Sequence, residues 1–200
     1  MKTVLGLFIC FGLAALGSSL ECEVCSEFGT SCSGGTMPCE ADKDTCIITA
    51  SYNSLVGVPL RTIAKGCGTL DTCRHGLKYM NLGQGKTIRS SSTCCVGEDC
   101  QTRTSQVPPA ITEPNGKRCQ ACYATTTTSC PDETVDCHGP EDHCLDMAVR
   151  VVYGSLVVNT AQKGCVSKSV CDDLKKGVTD FTGGSVEVLK AACRPAGIKA

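Results

Sequence analysis

Apolar positions alternate with other residues at Leu145, Met147, Val149, Val151 and Tyr153. Gly154-Ser155 interrupts the run, and Leu156 to Val158 resumes it. A period of two sends every second side chain to the same face, so this stretch predicts strand, turn, strand. Earlier in the chain, Cys46 to Tyr52 and Leu60 to Ala64 flank a turn-rich Asn53 to Pro59, which predicts a second hairpin. Further hairpins are expected to turn near Asn81 to Gly85 and near Thr182 to Gly184. Val186 to Ala192 fits a strand and a short helix equally well. One apolar run is of another kind. Val4 to Leu16 follows Lys2 and precedes Gly17-Ser18-Ser19, the layout of a secretory leader over residues 1–19, cut between Ser19 and Leu20. It is too short for a spanning helix, which needs about 20 apolar residues.

The hairpins hang from a cysteine ladder that occurs twice. The first reads Cys22, Cys25, Cys32, Cys39, Cys46, and the second reads Cys119, Cys122, Cys130, Cys137, Cys144. The first copy continues through Cys67, Cys73, Cys94, Cys95 and Cys100, the second through Cys165, Cys171 and Cys193. Cys46 to Cys67 and Cys144 to Cys165 are both 21 positions, and Lys65-Gly66-Cys67 recurs as Lys163-Gly164-Cys165. Such a fixed period marks a tandem duplication. The reading is a leader (1–19), a ten-cysteine domain (20–103), a Pro-rich spacer (104–116) and an eight-cysteine domain (117–200). Pro108, Pro109 and Pro114 make the spacer extended and semi-rigid, a composition shared with Pro-rich recognition peptides.

Composition narrows the class. The chain has 19 cysteines in 200 residues and no tryptophan. Removal of the leader takes Cys10 and leaves 18, an even number in an oxidising compartment. Beyond the leader the aromatics are Phe28, Tyr52, Tyr79, Tyr123, Tyr153 and Phe181. So thin a core needs staples, and disulfides contribute typically about 2–4 kcal/mol each. The mature charge is close to balanced, with no basic stripe to serve as a nucleic-acid footprint. Glu21 to Asp44 is mostly acidic, with Lys43 its one base, and reads as a solvated face or a landing patch for a basic partner. Arg194 to Ala200 offers no hydrophobic tail for a lipid anchor, so a secreted chain without a membrane anchor is expected. Asn53, Asn81, Asn115 and Asn159 all fail the N-glycosylation pattern.

Candidate chemistry is sparse. Cys22-x-x-Cys25 and Cys119-x-x-Cys122 have the spacing of redox and zinc motifs, but even counts in an oxidising compartment favour disulfides. Cys94-Cys95-Val96-Gly97-Glu98-Asp99-Cys100 resembles the Cys-Cys-x-x-His-Asp-x-Cys word of secreted phospholipases A2. Glu98 stands where the histidine would, the last gap is one residue short, and the calcium loop is missing. His75, His138 and His143 form no triad by adjacency. No catalytic residue, cofactor site or metal site is expected.

With these residues in hand, the first copy resembles a three-finger domain of the urokinase-receptor type, whose signature is the ending Cys94-Cys95-x4-Cys100. The resemblance implies an all-β, small disulfide-rich fold of two tandem three-finger (snake-toxin-like) domains. It implies the pairs Cys22–Cys46, Cys25–Cys32, Cys39–Cys67, Cys73–Cys94 and Cys95–Cys100. For the second copy it implies Cys119–Cys144, Cys122–Cys130, Cys137–Cys165 and Cys171–Cys193. Spacing alone leaves roughly a hundred pairings for eight cysteines. The words Leu20-Glu-Cys-Glu-Val-Cys25, Ala41-Asp-Lys-Asp-Thr-Cys46, Cys67-Gly-Thr-Leu-Asp-Thr-Cys73, Thr93-Cys-Cys-Val-Gly-Glu-Asp-Cys100 and Pro114-Asn-Gly-Lys-Arg-Cys119 are similar to the gamma-type phospholipase A2 inhibitors of snake serum. The second copy lacks a counterpart of Cys95–Cys100, which predicts a looser base for its third finger.

That resemblance implies a secreted, non-enzymatic protein that occludes a secreted phospholipase A2, alone or assembled with itself or related subunits. Aromatics are favoured interface anchors, which makes Tyr52, Tyr79, Tyr153 and Phe181, all in finger spans, the candidate contacts. A looser resemblance to amphibian courtship pheromones of the sodefrin-precursor type implies a secreted signal instead. The same fingers would also serve another ligand-binding module.

Overall fold

A computed structural model describes residues 19–131, 133–174, 177–181 and 184–198. The leader and the turn expected near Thr182 to Gly184 fall largely outside these residues. Six strands build the N-terminal half: β1 (Glu21–Phe28), β2 (Gly35–Pro38), β3 (Thr45–Asn53), β4 (Leu60–Gly68), β5 (Leu77–Asn81) and β6 (Thr87–Cys95). Two short helices, α1 (Leu70–Arg74) and α2 (Asp99–Thr102), lie near its cysteines. The C-terminal half holds β7 (Pro114–Ala124), β8 (Glu133–His138), β9 (Glu141–Tyr153), β10 (Leu156–Ser167), α3 (Lys168–Asp172), β11 (Gly177–Phe181), β12 (Gly184–Pro195) and β13 (Gly197–Ile198).

Each half is three antiparallel hairpins laid side by side, and the two halves use the same order. The first runs β5-β6-β3-β4-β1-β2; the second runs β11-β12-β9-β10-β7-β8. The alternating stretch at Leu145 to Val158 is the β9–β10 hairpin, with Val152 opposite Val157 and Tyr153 opposite Leu156. Val186 to Ala192 lies in β12, which pairs along β9 from Gly184 to Pro195. Disulfides tie the roots of the hairpins. In the first half they join Cys22–Cys46, Cys25–Cys32, Cys39–Cys67, Cys73–Cys94 and Cys95–Cys100. In the second they join Cys119–Cys144, Cys122–Cys130, Cys137–Cys165 and Cys171–Cys193. Two bonds stack in each half: Cys39 Sγ lies 3.3 Å from Cys22 Sγ, and Cys119 Sγ lies 3.6 Å from Cys137 Sγ.

The halves share one sheet. β5 is the edge strand of the first half, and its Met80 and Asn81 pair with Val166 and Cys165 of β10, just past the point where β7 leaves that edge. Side chains prolong the seam. The Tyr79 N–H donates to Ser167 Oγ (3.1 Å), and Ser169 Oγ donates to the Leu77 carbonyl (2.6 Å). Lys78 is ion-paired with Asp173, and Gln84 Nε2 donates to the Glu133 carboxylate (2.8 Å). Behind the seam Leu55, Met80 and Leu82 of one half pack with Leu145 and Val166 of the other. Full burial of such side chains contributes about 1.5–3 kcal/mol each.

The Pro-rich spacer does not span open solvent. Ser105 Oγ donates to the Ser91 carbonyl (2.9 Å), Val107 packs on the core around Cys22 and Ile63, and Arg89 Nη1 donates to the Pro108 carbonyl (2.8 Å). Pro114 to Gly116 already belong to β7. The pattern of hydrophobic positions gave no sign of the one-turn helices. α1 starts where Asp44 Oδ1, from the preceding hairpin, accepts the Leu70 N–H (2.8 Å). At the base of the last finger, β12 runs on to Pro195, the Ala196 N–H donates to the Asp142 carbonyl (2.9 Å), and β13 returns onto Lys117 and Arg118 of β7. Strand pairing thus holds the end that Cys95–Cys100 closes in the first half.

Two predictions come from the seam. A Cβ on Gly164 would lie 2.1 Å from the Asn81 carbonyl oxygen, whereas the repeat-equivalent Gly66 has nothing within 4 Å. Gly164→Ala therefore forces β5 and β10 apart and should cost about 1–3 kcal/mol, the range for overpacking. Gly66→Ala should cost nothing or stabilise slightly. Guanidinium unfolding with disulfides intact compares the two, and equal midpoints would refute the seam as described.

The second concerns Glu141, 5% exposed beside the seam, whose carboxylate accepts the His138 N–H (2.8 Å). Burial pushes its pKa from 4.5 up to about 7, against the opposing pull of the His138 N–H and the Asn81 amide. The His138 ring lies 3.8 Å away. The folded chain holds this proton more tightly than the unfolded chain does. Its contribution is therefore full below about pH 4.5 and lost as pH rises through about 7. Within that window stability should fall by about 1.4 kcal/mol per pH unit from this group. Glu141→Gln should flatten that slope in pH-stepped unfolding; an unaltered slope would assign it elsewhere.

Candidate functional site

The surface available to a partner is set by which side chains the hairpins leave uncovered. At the tip of the β3–β4 finger, Ser54 is fixed on three sides. Its N–H donates to the Thr87 carbonyl (3.0 Å), its Oγ donates to the Gly85 carbonyl (2.8 Å), and that oxygen accepts the Thr87 N–H (2.9 Å). The Leu55 N–H donates to Asn53 Oδ1 (2.8 Å), and the Leu55 side chain is buried against Met80 and Ile88. Gly57 takes φ +84°, a left-handed conformation that favours glycine. The result is a rooted loop that holds Val56 and Val58 out, 67% and 64% exposed. Phe28, 76% exposed, closes β1 on the neighbouring finger. In the second half, Leu156 and Val157 are exposed just past the Gly154-Ser155 turn.

The four aromatic candidates have unlike settings. Tyr52 is half-buried, and the Arg89 guanidinium lies 4.4 Å from its ring centroid. Because Arg89 also holds the spacer at Pro108, the pair is locked in place. Tyr79 is 7% exposed, closed in at the seam, so it offers almost no surface to a partner and is withdrawn as a contact. Its burial follows from the pairing of β5 with β10. Tyr52 and Tyr79 line a cavity of about 410 Å³ between the halves, with Arg89, Ile111, His138 and Glu141. Tyr153 and Phe181 end β9 and β11, and their side chains lie outside those described.

Sequence reasoning passed over Val56, Val58, Leu156 and Val157. The signal was present as apolar residues inside turn-rich words, Leu55-Val-Gly-Val58 and Gly154-Ser-Leu-Val157. A turn has no periodicity, and only the structure says which of Leu55 and Val56 is inside.

The acidic run is mixed in character. Lys65 Nζ (2.7 Å) and the Gly34 N–H (3.0 Å) hold the Glu23 carboxyl below its usual range. Lys43 does the same to Asp42 (2.8 Å), and Asp44 starts α1. Glu21, Glu27 and Glu40 are exposed.

The sulfurs of Cys22, Cys39 and Cys67 lie within 4.8 Å of one another, as do those of Cys119, Cys137 and Cys165. All six are in disulfides, which leaves no thiolate to act as ligand. Cys22 and Cys25 belong to different bonds, as do Cys119 and Cys122. The histidines are spread out: His75 lies 3.8 Å from Asp172, His138 lies beside Glu141, and His143 Nδ1 lies 2.7 Å from Asp142. Asp99, in the phospholipase-like word, pairs with Arg103 (3.0 Å). What these halves present is a set of exposed finger ends, of which the β3–β4 tip is rooted by hydrogen bonds. Among the described residues no helix is long and apolar enough to cross a membrane.

Comparison with known proteins agrees with this architecture. Residues 20–102 match the phospholipase A2 inhibitor family model, and residues 115–194 match the u-PAR/Ly-6 domain. The chain is 33% identical to a phospholipase A2 inhibitor gamma subunit of Laticauda semifasciata, over 78% of this chain and 87% of that one. It is 33% identical to phospholipase A2 inhibitor NAI of Notechis ater, over 85% and 86%. It is 35% identical to a phospholipase A2 inhibitor gamma subunit of Elaphe climacophora, over 95% of each. Among solved structures, mouse TEX101 aligns over 88% of this chain and 98% of its own, at 16% identity and a TM-score of 0.34. All-β, rich in disulfides and built of three-finger domains, the chain belongs to the phospholipase A2 inhibitor family.

Proposed function

We propose that this chain is a secreted, non-enzymatic inhibitor that binds a secreted phospholipase A2 through its finger tips and blocks access of lipid to it. The observation that carries the reading is the β3–β4 tip. Val56 and Val58 are exposed on a loop whose root, Ser54 and Leu55, is fixed by hydrogen bonds and burial. Apolar side chains on a pre-ordered loop bury surface against a partner at little entropic cost. Family membership supplies the class of target, since the relatives are named phospholipase A2 inhibitors. Inhibition then needs no bond to be made or broken. A tip seated where the enzyme takes up lipid would compete directly with the substrate.

Within this reading residues 20–103 and 117–200 act as two domains, and the tip of the first supplies the main contact. The oxidised chain from residue 20 to residue 200 is titrated against a panel of acidic and basic secreted phospholipases A2, with hydrolysis of vesicle lipid as readout. Inhibition of at least one enzyme is expected, and none across the panel overturns the reading. Val56→Asp with Val58→Asp should raise the inhibition constant at least tenfold, about 1.4 kcal/mol of binding. Val96→Asp, at an exposed site by the Cys95–Cys100 bond, should leave it unchanged. If the tip variant matches the parent while the parent inhibits, another surface makes the contact.

A further inference from the structure

The first fingers of the two halves are built alike, but their closing loops differ in composition. In the first half the loop between Cys25 and Cys32 is Ser26-Glu-Phe-Gly-Thr-Ser31, and β1 occupies it as far as Phe28. In the second half the loop between Cys122 and Cys130 is Tyr123-Ala-Thr-Thr-Thr-Thr-Ser129. β7 ends at Ala124 and β8 begins at Glu133, so five consecutive hydroxyl residues lie outside both strands. All five, Thr125 to Ser129, are exposed.

Among the described residues none of the five is in a core cluster. Within this run the Ser129 N–H donates to Thr127 Oγ1 (3.2 Å), a local turn bond that leaves the Thr127 O–H free to point outward. Threonine has poor entropic grounds for such a position, because its branched side chain favours strands. The stretch from Cys119 to Pro131 also contains no Asp, Glu, Lys, Arg or His, although charged residues flank it at Arg118 and Asp132. Hydroxyl residues in series, uncharged, exposed, outside the hydrogen-bond ladder and followed by proline have the composition of O-glycosylated segments.

We infer that Thr125 to Ser129 is an O-glycosylation site, an acceptor for N-acetylhexosamine from a nucleotide sugar. The inference rests on the extracellular reading above, since the transferring enzymes work along the secretory route. The threonine Oγ1 attacks the anomeric carbon of the sugar carried on a nucleoside diphosphate. The new carbon–oxygen bond forms as the bond from that carbon to the phosphate oxygen breaks. The nucleoside diphosphate leaves with the electron pair, and the hydroxyl proton passes to it or to water. The disulfide Cys122–Cys130 brackets the acceptor run and keeps it at the surface as a loop. The glycan would extend into solvent from the tip of the second half's first finger.

The test is direct. The full chain is expressed in vertebrate secretory cells, and the secreted protein is reduced, alkylated and cut with trypsin. No Lys or Arg lies between Arg118 and Arg150, so a single peptide from Cys119 to Arg150 carries the run. Its mass should be raised by N-acetylhexosamine-containing increments, located by electron-transfer fragmentation to Thr125 to Ser129. In parallel, unglycosylated oxidised protein is offered UDP-N-acetylgalactosamine and a polypeptide N-acetylgalactosaminyltransferase, and sugar should enter the same peptide. Replacement of all five residues by alanine should abolish both signals while the remaining peptides are unchanged. A secreted chain with an unmodified peptide overturns the proposal and leaves the inhibitor reading standing. A chain retained in the cell with its leader uncut overturns the extracellular reading and this inference with it. Modification at Thr134 of β8 in place of the run also overturns it.

Discussion

The structure depends on one shortage: there is too little apolar side chain to hold about 180 residues in place. Beyond the leader the chain carries two phenylalanines, four tyrosines and no tryptophan. Among the described residues eight of the 21 buried hydrophobic positions are cysteines, and in the second half a whole cluster is Cys119, Cys137, Cys144 and Cys165. The cross-links Cys39–Cys67 and Cys137–Cys165 each close a separation of 28 residues. In the chain-entropy picture, loops of that length stabilise by about 3–4 kcal/mol each. The sulfur core sits where the hairpins meet, so it fixes their roots and leaves their far ends to be settled by other means.

How the far ends are settled differs along the molecule. In the first half the middle finger leans on the third through Ser54 and Thr87, and a turn becomes a rooted loop. The third finger has its own difficulty, since an edge strand presents unpaired backbone groups that invite unwanted pairing. β5 meets this by joining β10 for two residue pairs, with Ser167 and Ser169 continuing the hydrogen bonding where the ladder stops. The seam draws in a carboxyl group, Glu141, at the cost of its desolvation. The spacer is fixed by the same logic, because Arg89 serves both Tyr52 and the Pro108 carbonyl. Two copies that could have been joined by a tether are joined by backbone.

Local patterns in the sequence were enough to find the hairpins, and long-range pairings were not. Leu145 to Val158 declares itself because period two is a property of neighbours, and the turn at Gly154-Ser155 adds to it. Val186 to Ala192 is ambiguous for the same reason. Glu187, Leu189, Lys190, Ala191 and Ala192 are good helix formers, and only the whole length of β9 alongside makes them strand. The helices α1 and α3 are one turn each and too short for any period to register. Which cysteine bonds which came from resemblance and not from spacing. The seam was invisible because Gly66 and Gly164 sit in the same word, Lys-Gly-Cys, and a sequence cannot say that one faces open space and the other a neighbouring carbonyl. The same holds for Tyr79, buried by a pairing that is remote in sequence. Its residue type argues for an interface, and it lies at one, but between the two halves of its own chain.

The burial of Tyr79 shows how a duplicated scaffold divides its surface. Both copies inherit the same strand order, so any surface used for pairing one copy to the other is lost to outside partners. In the first half the loss falls on the third finger, whose β5 edge is covered, and the middle finger keeps its exposed valines. In the second half the loss falls on β10 near its root, and the tip at Leu156 and Val157 stays free. The closing loop of the second half's first finger, between Cys122 and Cys130, has no counterpart of Glu27 and Phe28 and carries hydroxyls instead. These finger-end differences lie away from the stacked bonds Cys22–Cys46 with Cys39–Cys67 and Cys119–Cys144 with Cys137–Cys165. The positions that differ most between copies, and not the ladder they share, are where a partner for this chain has to be sought.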